Sequence, residues 1–367
     1  MPLNNDAILA ALSKVTDPAT GQDLVSLNFV RDLKVSSGTI TLDLVINTPV
    51  SPRKLVVADN ARDVLRKLPG VERVDLHLKV EIPKPGGVEG KQSVPGVANI
   101  VAVSSGKGGV GKSTVAVNLA VALAKFGGRV GLLDTDVYGP NVPIMVGLSQ
   151  EPIVKSQRLL PLEAYGVKVM SLGFLNPGDR PVVWRGPMLH TAVRQFLYDV
   201  EWGELDYLVV DMPPGTGDAQ LSLAQLVPVQ GAVLVTTPQA VALGDVRKAY
   251  RMFEQVHVPI LGIVENMSYF VCPNCSEKHE IFGSRGGEEL AITFGSRLLG
   301  RIPFSIDIRE GGDAGLPIVA GAPESPHSLA FLEIADNVAS QVGLLAMTGS
   351  RLPIMDMSDS RGDRFVV

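Results

Sequence analysis

Cysteine is almost absent from this chain. Its 367 residues hold two, Cys272 and Cys275, spaced as Cys-Pro-Asn-Cys. Two cysteines confined to one C-x-x-C exclude a structural disulfide framework, which needs pairs spread along the sequence. Positive charge is not in excess either. The 33 Lys and Arg face 38 Asp and Glu, for a formal net charge of −5, and the isoelectric point is near 5.6. That balance argues against a nucleic-acid footprint. No basic segment followed by an apolar stretch opens the sequence, so no secretory leader is expected. The longest uncharged run, Ala219 to Gly244, carries Pro228, Pro238 and four glutamines; it reads as sheet core and loops, not as a membrane span. No internal repeat is present. A soluble, cytoplasmic protein is expected, with 46 % hydrophobic residues to build a large core and a length that suggests about two domains.

What the chain does have is concentrated between Gly106 and Thr114, which read Gly-Lys-Gly-Gly-Val-Gly-Lys-Ser-Thr. Gly106-x-x-x-x-Gly111-Lys112-Ser113 is a complete Walker A phosphate-binding loop. Gly106, Gly108, Gly109 and Gly111 allow backbone N–H groups along the loop, Val110 and Thr114 included, to turn toward phosphate oxygens. Lys112 places a point charge on the β and γ phosphates, and the Ser113 hydroxyl reaches Mg²⁺. A Walker A loop does not require a second lysine, so Lys107 carries additional information. The apolar run Asn99–Ser104 predicts a buried parallel strand before the loop. Val115 to Ala124 predicts a buried helix after it. Strand, glycine loop and helix together aim a helix N-terminus at the phosphates.

Hydrolysis also needs a carboxylate for Mg²⁺ and a positioned water. Leu208-Val-Val-Asp211 is an apolar strand ending in Asp, the Walker B pattern, so Asp211 is expected to hold Mg²⁺ through a bound water. In Met212-Pro-Pro-Gly-Thr-Gly-Asp218, the Gly215 N–H is a candidate sensor of the γ-phosphate. Asp134-Thr-Asp136 ends another predicted strand at the same sheet edge, where ligands bind in such folds. Asp134 is expected to support Mg²⁺, and Asp136 to orient or activate the attacking water. Lys107, Lys112 and Asp136 are the candidate catalytic residues.

The sequence divides by pattern. Residues 1–82 are expected to form a small α+β domain. Its predicted elements are a helix over 5–15, a strand over 39–46, a helix over 51–68 and an alternating strand through Val74, Leu76, Leu78 and Val80. Residues 83–97 have the Pro, Gly, Lys and Glu content of a linker. Residues 98–345 alternate apolar strands with helices, which predicts an α/β fold with a mostly parallel sheet and helices on both faces. Strands are predicted at 100–104, 130–134, 207–211, 232–236 and 260–264. Residues 346–367 are polar and irregular, as in a disordered tail.

The loop with its extra Lys107 resembles the deviant Walker A ATPases. Several stretches resemble the Mrp/ApbC iron–sulfur carriers in particular: 134–143 (Asp-Thr-Asp-Val-Tyr-Gly-Pro-Asn-Val-Pro), Trp184-Arg-Gly-Pro-Met188, 206–218, Thr236-Thr-Pro-Gln239, Glu265-Asn-Met-Ser268, Cys272-Pro-Asn-Cys275, Ile281-Phe-Gly283 and Leu299-Gly-Arg-Ile-Pro303. The resemblance runs in order over about residues 98 to 340. It implies that Lys107 reaches across a homodimer interface to the partner's ATP, that Asn266 and Pro303 flank adenine, and that Cys272 and Cys275 bind a cluster. It also implies delivery of that cluster to apo iron–sulfur proteins, with assembly scaffold proteins as partners. The acidic balance and absent basic patch argue against nucleic acid, and the apolar content of 344–357, interrupted by Gly349 and Pro353, against stable membrane association.

Two thiolates cannot complete a tetrahedral zinc site or a cubane cluster, each of which takes about four ligands. A two-fold dimer supplies four, giving a bridging 4Fe–4S cluster that is exposed and transferable. A one-chain Cys₂His zinc site with His279 and a redox dithiol are the alternatives. A ParA/MinD-like positioning ATPase and an electron donor like nitrogenase iron protein are the rivals for the whole chain; the adjacency of Cys272 and Cys275 disfavours the second. The first domain resembles the small PaaD-like domain of iron–sulfur assembly factors through Asp17-Pro18, Leu24-Val25, Val30-Arg31-Asp32, Thr48-Pro49 and Leu68-Pro-Gly-Val71. Where many such domains carry a cysteine after Thr-Pro, this chain has Val50-Ser51-Pro52. A docking or regulatory role is therefore expected of it, not a second cluster site.

Overall fold

The computed structural model describes residues 3–84, 92–137, 139–175 and 186–348. The middle of the linker, Trp184-Arg185 and most of the expected tail lie outside the described residues.

The N-terminal region starts with α1 (Asn5–Leu12), capped by the Asn4 side chain, which accepts from Ala7 N at 2.9 Å. Strands β1 (Val30–Ser36) and β2 (Thr39–Ile46) pair antiparallel, and β3 (Arg73–Val80) joins β2 in parallel. A parallel pair needs a crossover, supplied by α2 (Pro52–Arg66), with Ser51 as N-cap and Pro52 in the first turn. Alternating Ile40, Leu42, Leu44 and Ile46 pack against Ile8, Leu12, Ala61 and Leu65 in a small core.

The rest of the chain builds an eight-stranded sheet. After β4 (Val97–Ser105) come α3 (Lys112–Lys125), β5 (Val130–Asp134), α4 (Val142–Met145), a hairpin of β6 (Val154–Lys155) and β7 (Arg158–Leu159), β8 (Leu162–Ala164) and β9 (Val167–Ser171). Then follow α5 (Gly186–Tyr198), β10 (Leu205–Asp211), α6 (Asp218–Leu226), β11 (Gly231–Thr236), α7 (Ala240–Gln255) and β12 (Ile260–Glu265). A hairpin of β13 (Phe270–Val271) and β14 (Lys278–His279), then α8 (Gly286–Thr293), β15 (Leu298–Arg301), α9 (Ile306–Asp313), α10 (Ile318–Gly321) and α11 (Pro326–Thr348) complete it. Strand order is β15-β12-β11-β4-β10-β5-β9-β8. Every pairing is parallel except β8 with β9, at one edge. Flanking helices bury the sheet, so residues 100–103 of β4, 207–210 of β10 and 231–235 of β11 read as apolar runs, not as alternation. Five strands lie where the sequence predicts them. The edge strands β8 and β15, which are short and half-covered, and the short buried β9, whose run is broken by Lys168, lie outside the sequence expectation.

Helix α11 joins the two regions. It packs on α3 and lends Leu344 to the N-terminal core. Polar groups fix the junction: Lys54 Nζ bonds Asp17 Oδ1 at 2.8 Å and Ser340 Oγ at 3.2 Å, and Ser51 Oγ donates to Asp336. Ser51 is thus consumed as a helix cap and a domain clasp. By length and composition Pro326–Met347 could cross a membrane, but 67 % of its apolar window is buried inside the fold.

Candidate functional site

The central sheet delivers its chemistry to one edge. Strands β5 and β10 are in register with Asp134 opposite Asp211, so both carboxylates emerge side by side next to the loop that follows β4. Thr135 ties the strand ends together, its N–H and hydroxyl both donating to Asp211 O at 2.9 and 2.8 Å.

The loop itself is built on glycine. Gly109 and Gly111 take φ of +81° and +80°, the left-handed region that L side chains avoid. A Cβ on Gly108 or Gly109 would meet nothing within 4 Å, whereas one on Gly111 would lie 2.2 Å from Asn266 Nδ2. The open side is room for a phosphate. The closed side is where Asn266, buried at the end of β12, donates to Val110 O at 2.8 Å and pins the loop. Gly111 leads directly into α3, whose N-terminus points its free N–H groups at the opening.

Lys112 is buried, with Nζ 2.6 Å from Asp211 Oδ1 and 3.4 Å from Asp136 Oδ2. Ser113 Oγ donates to the other oxygen of Asp211 at 2.6 Å. Asp134 accepts from Ser171 Oγ at 2.8 Å and from Asp136 N at 3.0 Å. Asp211 and Asp136 therefore share one ammonium in a buried space, with Asp134 beside Asp211. Burial, and then the Asp211 charge, push Asp134 up to about 8. Burial opposes the charge on Lys112, but Asp211 and Asp136 outweigh it and hold the ammonium above its ordinary range. The centre is short of positive charge, which suits a divalent cation. Ser113 hydroxyl and Asp211 carboxylate are hard oxygen donors on adjacent positions, the donor set Mg²⁺ takes.

Gly215 has φ +100° and its N–H donates to Ser105 O at 3.0 Å. It lies beside the phosphate loop, and contact with a phosphate requires exchange of that bond. Lys107 is half-buried within the loop, and its side chain takes no part in the bonds around Lys112.

A cavity of about 300 Å³ opens beside the loop, lined by Gly111, Thr114, Asn266, Pro303, Phe304 and Ile308 among others. Its walls are mostly apolar and it adjoins the phosphate cradle, as a flat base next to a phosphate chain requires. Asn266 and Pro303, 37 positions apart, meet here because β12 and β15 are sheet neighbours. Phe304 and Ile308 are wall residues that sequence reasoning missed; Phe304 follows Pro303 directly and Ile308 lies five positions on, in α9, so the Pro303 motif was the available signal.

Cys272 and Cys275 lie apart from this centre, at the turn of the β13–β14 hairpin. Cys272 is half-buried and Cys275 exposed. The turn is closed by Ser276 N donating to Cys272 O at 2.8 Å and Cys272 N to Glu277 O at 2.9 Å. The backbone N–H of Cys275 and then of Asn274 point at the Cys272 sulfur, and with the Cys275 thiol they hold Cys272 below the ordinary thiol range. Such a knuckle favours thiolate, the form that binds metal. Among the described residues no group of three or more His, Cys, Asp or Glu is arranged to hold a metal ion. His279 faces Glu277, at 3.7 Å.

Residues 96–339 match the family described as NUBPL iron-transfer P-loop NTPase, and residues 5–76 match one described as iron–sulfur cluster assembly protein. The chain is 49 % identical over 351 residues to an iron–sulfur cluster carrier protein of Synechocystis, covering 94 % of this chain and 99 % of the relative. Among solved structures it resembles a nucleotide-binding protein of Archaeoglobus fulgidus in complex with ADP: 41 % identity, TM-score 0.57, covering 65 % of this chain and 93 % of the other. It also resembles the cell-division ATPase MinD of Pyrococcus furiosus: 25 % identity, TM-score 0.51, covering 66 % and 98 %.

Proposed function

The chain belongs to the iron-transfer P-loop NTPases and is an ATP-binding and hydrolysing enzyme; from that premise we propose that it binds a labile 4Fe–4S cluster between two copies of itself and passes it to apo iron–sulfur proteins. The observation that carries this reading is the cysteine knuckle. It offers two thiolates and no third ligand nearby among the described residues, so a four-ligand cargo needs a second copy. Kinship to cluster carriers over nearly the whole chain supports it.

In this reading ATP enters with its base in the apolar cavity and its phosphates on the glycine loop. Lys112 turns from Asp211 to the β and γ phosphates. Asp211 and Ser113 are then released to hold Mg²⁺, which neutralises phosphate charge when bound. Asp136 orients the attacking water. Lys107 acts on the ATP of the partner copy. The loop at Gly215 exchanges its bond to Ser105 and so registers the γ-phosphate. The N-terminal unit, PaaD-like in its motifs, is a docking module, since Ser51 is spent on Asp336. We place the protein in the cytoplasm, working as a homodimer with scaffold proteins and apoproteins as partners.

The test is a Cys272→Ser, Cys275→Ser double variant reconstituted anaerobically with iron and sulfide. Iron, sulfide and the thiolate-to-iron absorption should be lost while ATP hydrolysis persists. Iron content equal to wild type would sink the proposal. The rival reading, a surface-positioning ATPase, gains nothing from an exposed thiol pair. ATP-dependent co-sedimentation of that same double variant with liposomes or DNA would favour it.

A further inference from the structure

The cavity beside the phosphate loop and the cysteine hairpin share a side chain. Beyond the sheet, the chain leaving β12 and the chain leaving β15 continue side by side: Ser268 N donates to Ile302 O at 2.9 Å and Phe304 N to Tyr269 O at 2.7 Å. Phe304 lines the cavity. Its ring also meets Phe270 at 6.4 Å between centroids and Phe282, edge to face, at 6.1 Å. Phe270 enters the cysteine hairpin and Phe282 follows it, so both limbs rest on one ring.

Besides these rings, the hairpin is held by a backbone bridge between Phe270 and Phe304 at its root and by Lys278 over the Tyr269 ring at 4.1 Å. The hairpin itself has two residue pairs, Phe270 with His279 and Val271 with Lys278, and residues 273–281 are exposed. An isolated two-stranded ribbon of that length has no stability of its own. The backbone bridge fixes its root, and the edge-to-face and tilted contacts on Phe304 orient the limbs beyond it. Phe304 is itself 40 % exposed, so a base seated in the cavity covers and fixes its ring.

From this geometry we infer that Phe304 is the positioning residue through which nucleotide in the cavity sets the placement of Cys272 and Cys275. The inference rests on the reading of the cavity as the base site and of the hairpin as the cargo site. It adds the route between them, and by linkage a metal on the thiols shifts nucleotide affinity by the same factor.

The chain's two cysteines make the test direct, because every thiol signal comes from the hairpin. Alkylation rates of the metal-free protein are measured alone, with Mg-ADP and with a non-hydrolysable ATP analogue at saturation. In wild type the rate should change about five-fold or more on nucleotide binding. In Phe282→Ala, which leaves the cavity wall intact, nucleotide affinity should be unchanged and the rate should no longer respond. Phe304→Ala, saturated according to its own titration, should be equally unresponsive, and Phe304→Tyr, which keeps the ring, should restore the response. A wild-type rate that ignores bound nucleotide, or Phe282→Ala and Phe304→Ala variants that respond as wild type does, would overturn the inference. Failure of Phe304→Tyr to respond would also overturn it, since the ring contacts would then be only structural. Iron and sulfide content plays no part in this readout, so the cargo proposal fails or stands separately.

Discussion

Lys112 Nζ lies 2.6 Å from Asp211 Oδ1, so the lysine of the phosphate loop and the carboxylate at the end of β10 neutralise one another. In the proposed mechanism, phosphate replaces one anionic partner of Lys112 with another and frees Asp211 for a cation. Asp211→Asn should therefore separate the two roles. Hydrolysis should fall by about 10²-fold or more, as when a group stabilising the transition state is removed. Nucleotide binding without Mg²⁺ should tighten, because Lys112 no longer has to leave a carboxylate. Phosphate release and fluorescent-nucleotide titrations with and without Mg²⁺ read the two effects.

Lys107 tests the dimer. If it serves the partner's ATP, Lys107→Ala and Asp136→Asn are each inactive alone but complement when mixed. In a mixed dimer the Lys107→Ala copy keeps its own Asp136 and receives Lys107 from the other. Random assortment then recovers about one quarter of wild-type hydrolysis, from one working site in half of the dimers. No recovery on mixing would place Lys107 in its own site.

Lys54 and Asp17 are each 1 % exposed and 2.8 Å apart. Removing one partner of a buried pair strands the other charge, at a cost of about 3–5 kcal/mol. Lys54→Met should lower stability by about that much in urea unfolding. It should also expose the N-terminal region to proteolysis before the sheet, since the pair and Ser340 clasp that region to α11.

Arg129 and Asp206 clamp the starts of β5 and β10, with Arg129 Nη2 2.6 Å from Asp206 Oδ1. Burial alone would raise the Asp206 carboxyl, but Arg129 outweighs it and holds the group below its ordinary 3.8. The unfolded chain then takes up the proton first as pH falls. The stabilisation is complete above the unfolded value and lost below it, as pH passes through the folded value. Arg129→Gln should cost about 1 kcal/mol at neutral pH, discounted for a half-exposed arginine. The difference from wild type should vanish in acid melts well below the usual carboxylate range.

The phosphate loop was legible in the sequence because its chemistry is local. Gly106 to Ser113 are contiguous, and glycine spacing, lysine and hydroxyl are all that the cradle needs. The strand ends at Asp134 and Asp211 were legible for a related reason, since buried parallel strands are unbroken apolar runs with a polar stop. The edge strands β8 and β15 were not, because half-covered strands lack that signal, and β9 is too short a run, interrupted by Lys168, to show it.

Composition and motif alone determined an acidic α/β nucleotide-binding chain with a thiol pair and no disulfide scaffold. Only the tertiary structure decided who those groups touch. Parallel register set Asp134 beside Asp211 and turned Lys112 onto both Asp211 and Asp136. The adjacency of β12 and β15 brought Asn266 to Pro303 and laid both hairpin limbs on Phe304. Packing of α11 converted Ser51 from a vacant ligand position into a clasp. These are contacts between residues tens to hundreds of positions apart, and local patterns carry no record of which strand becomes whose neighbour.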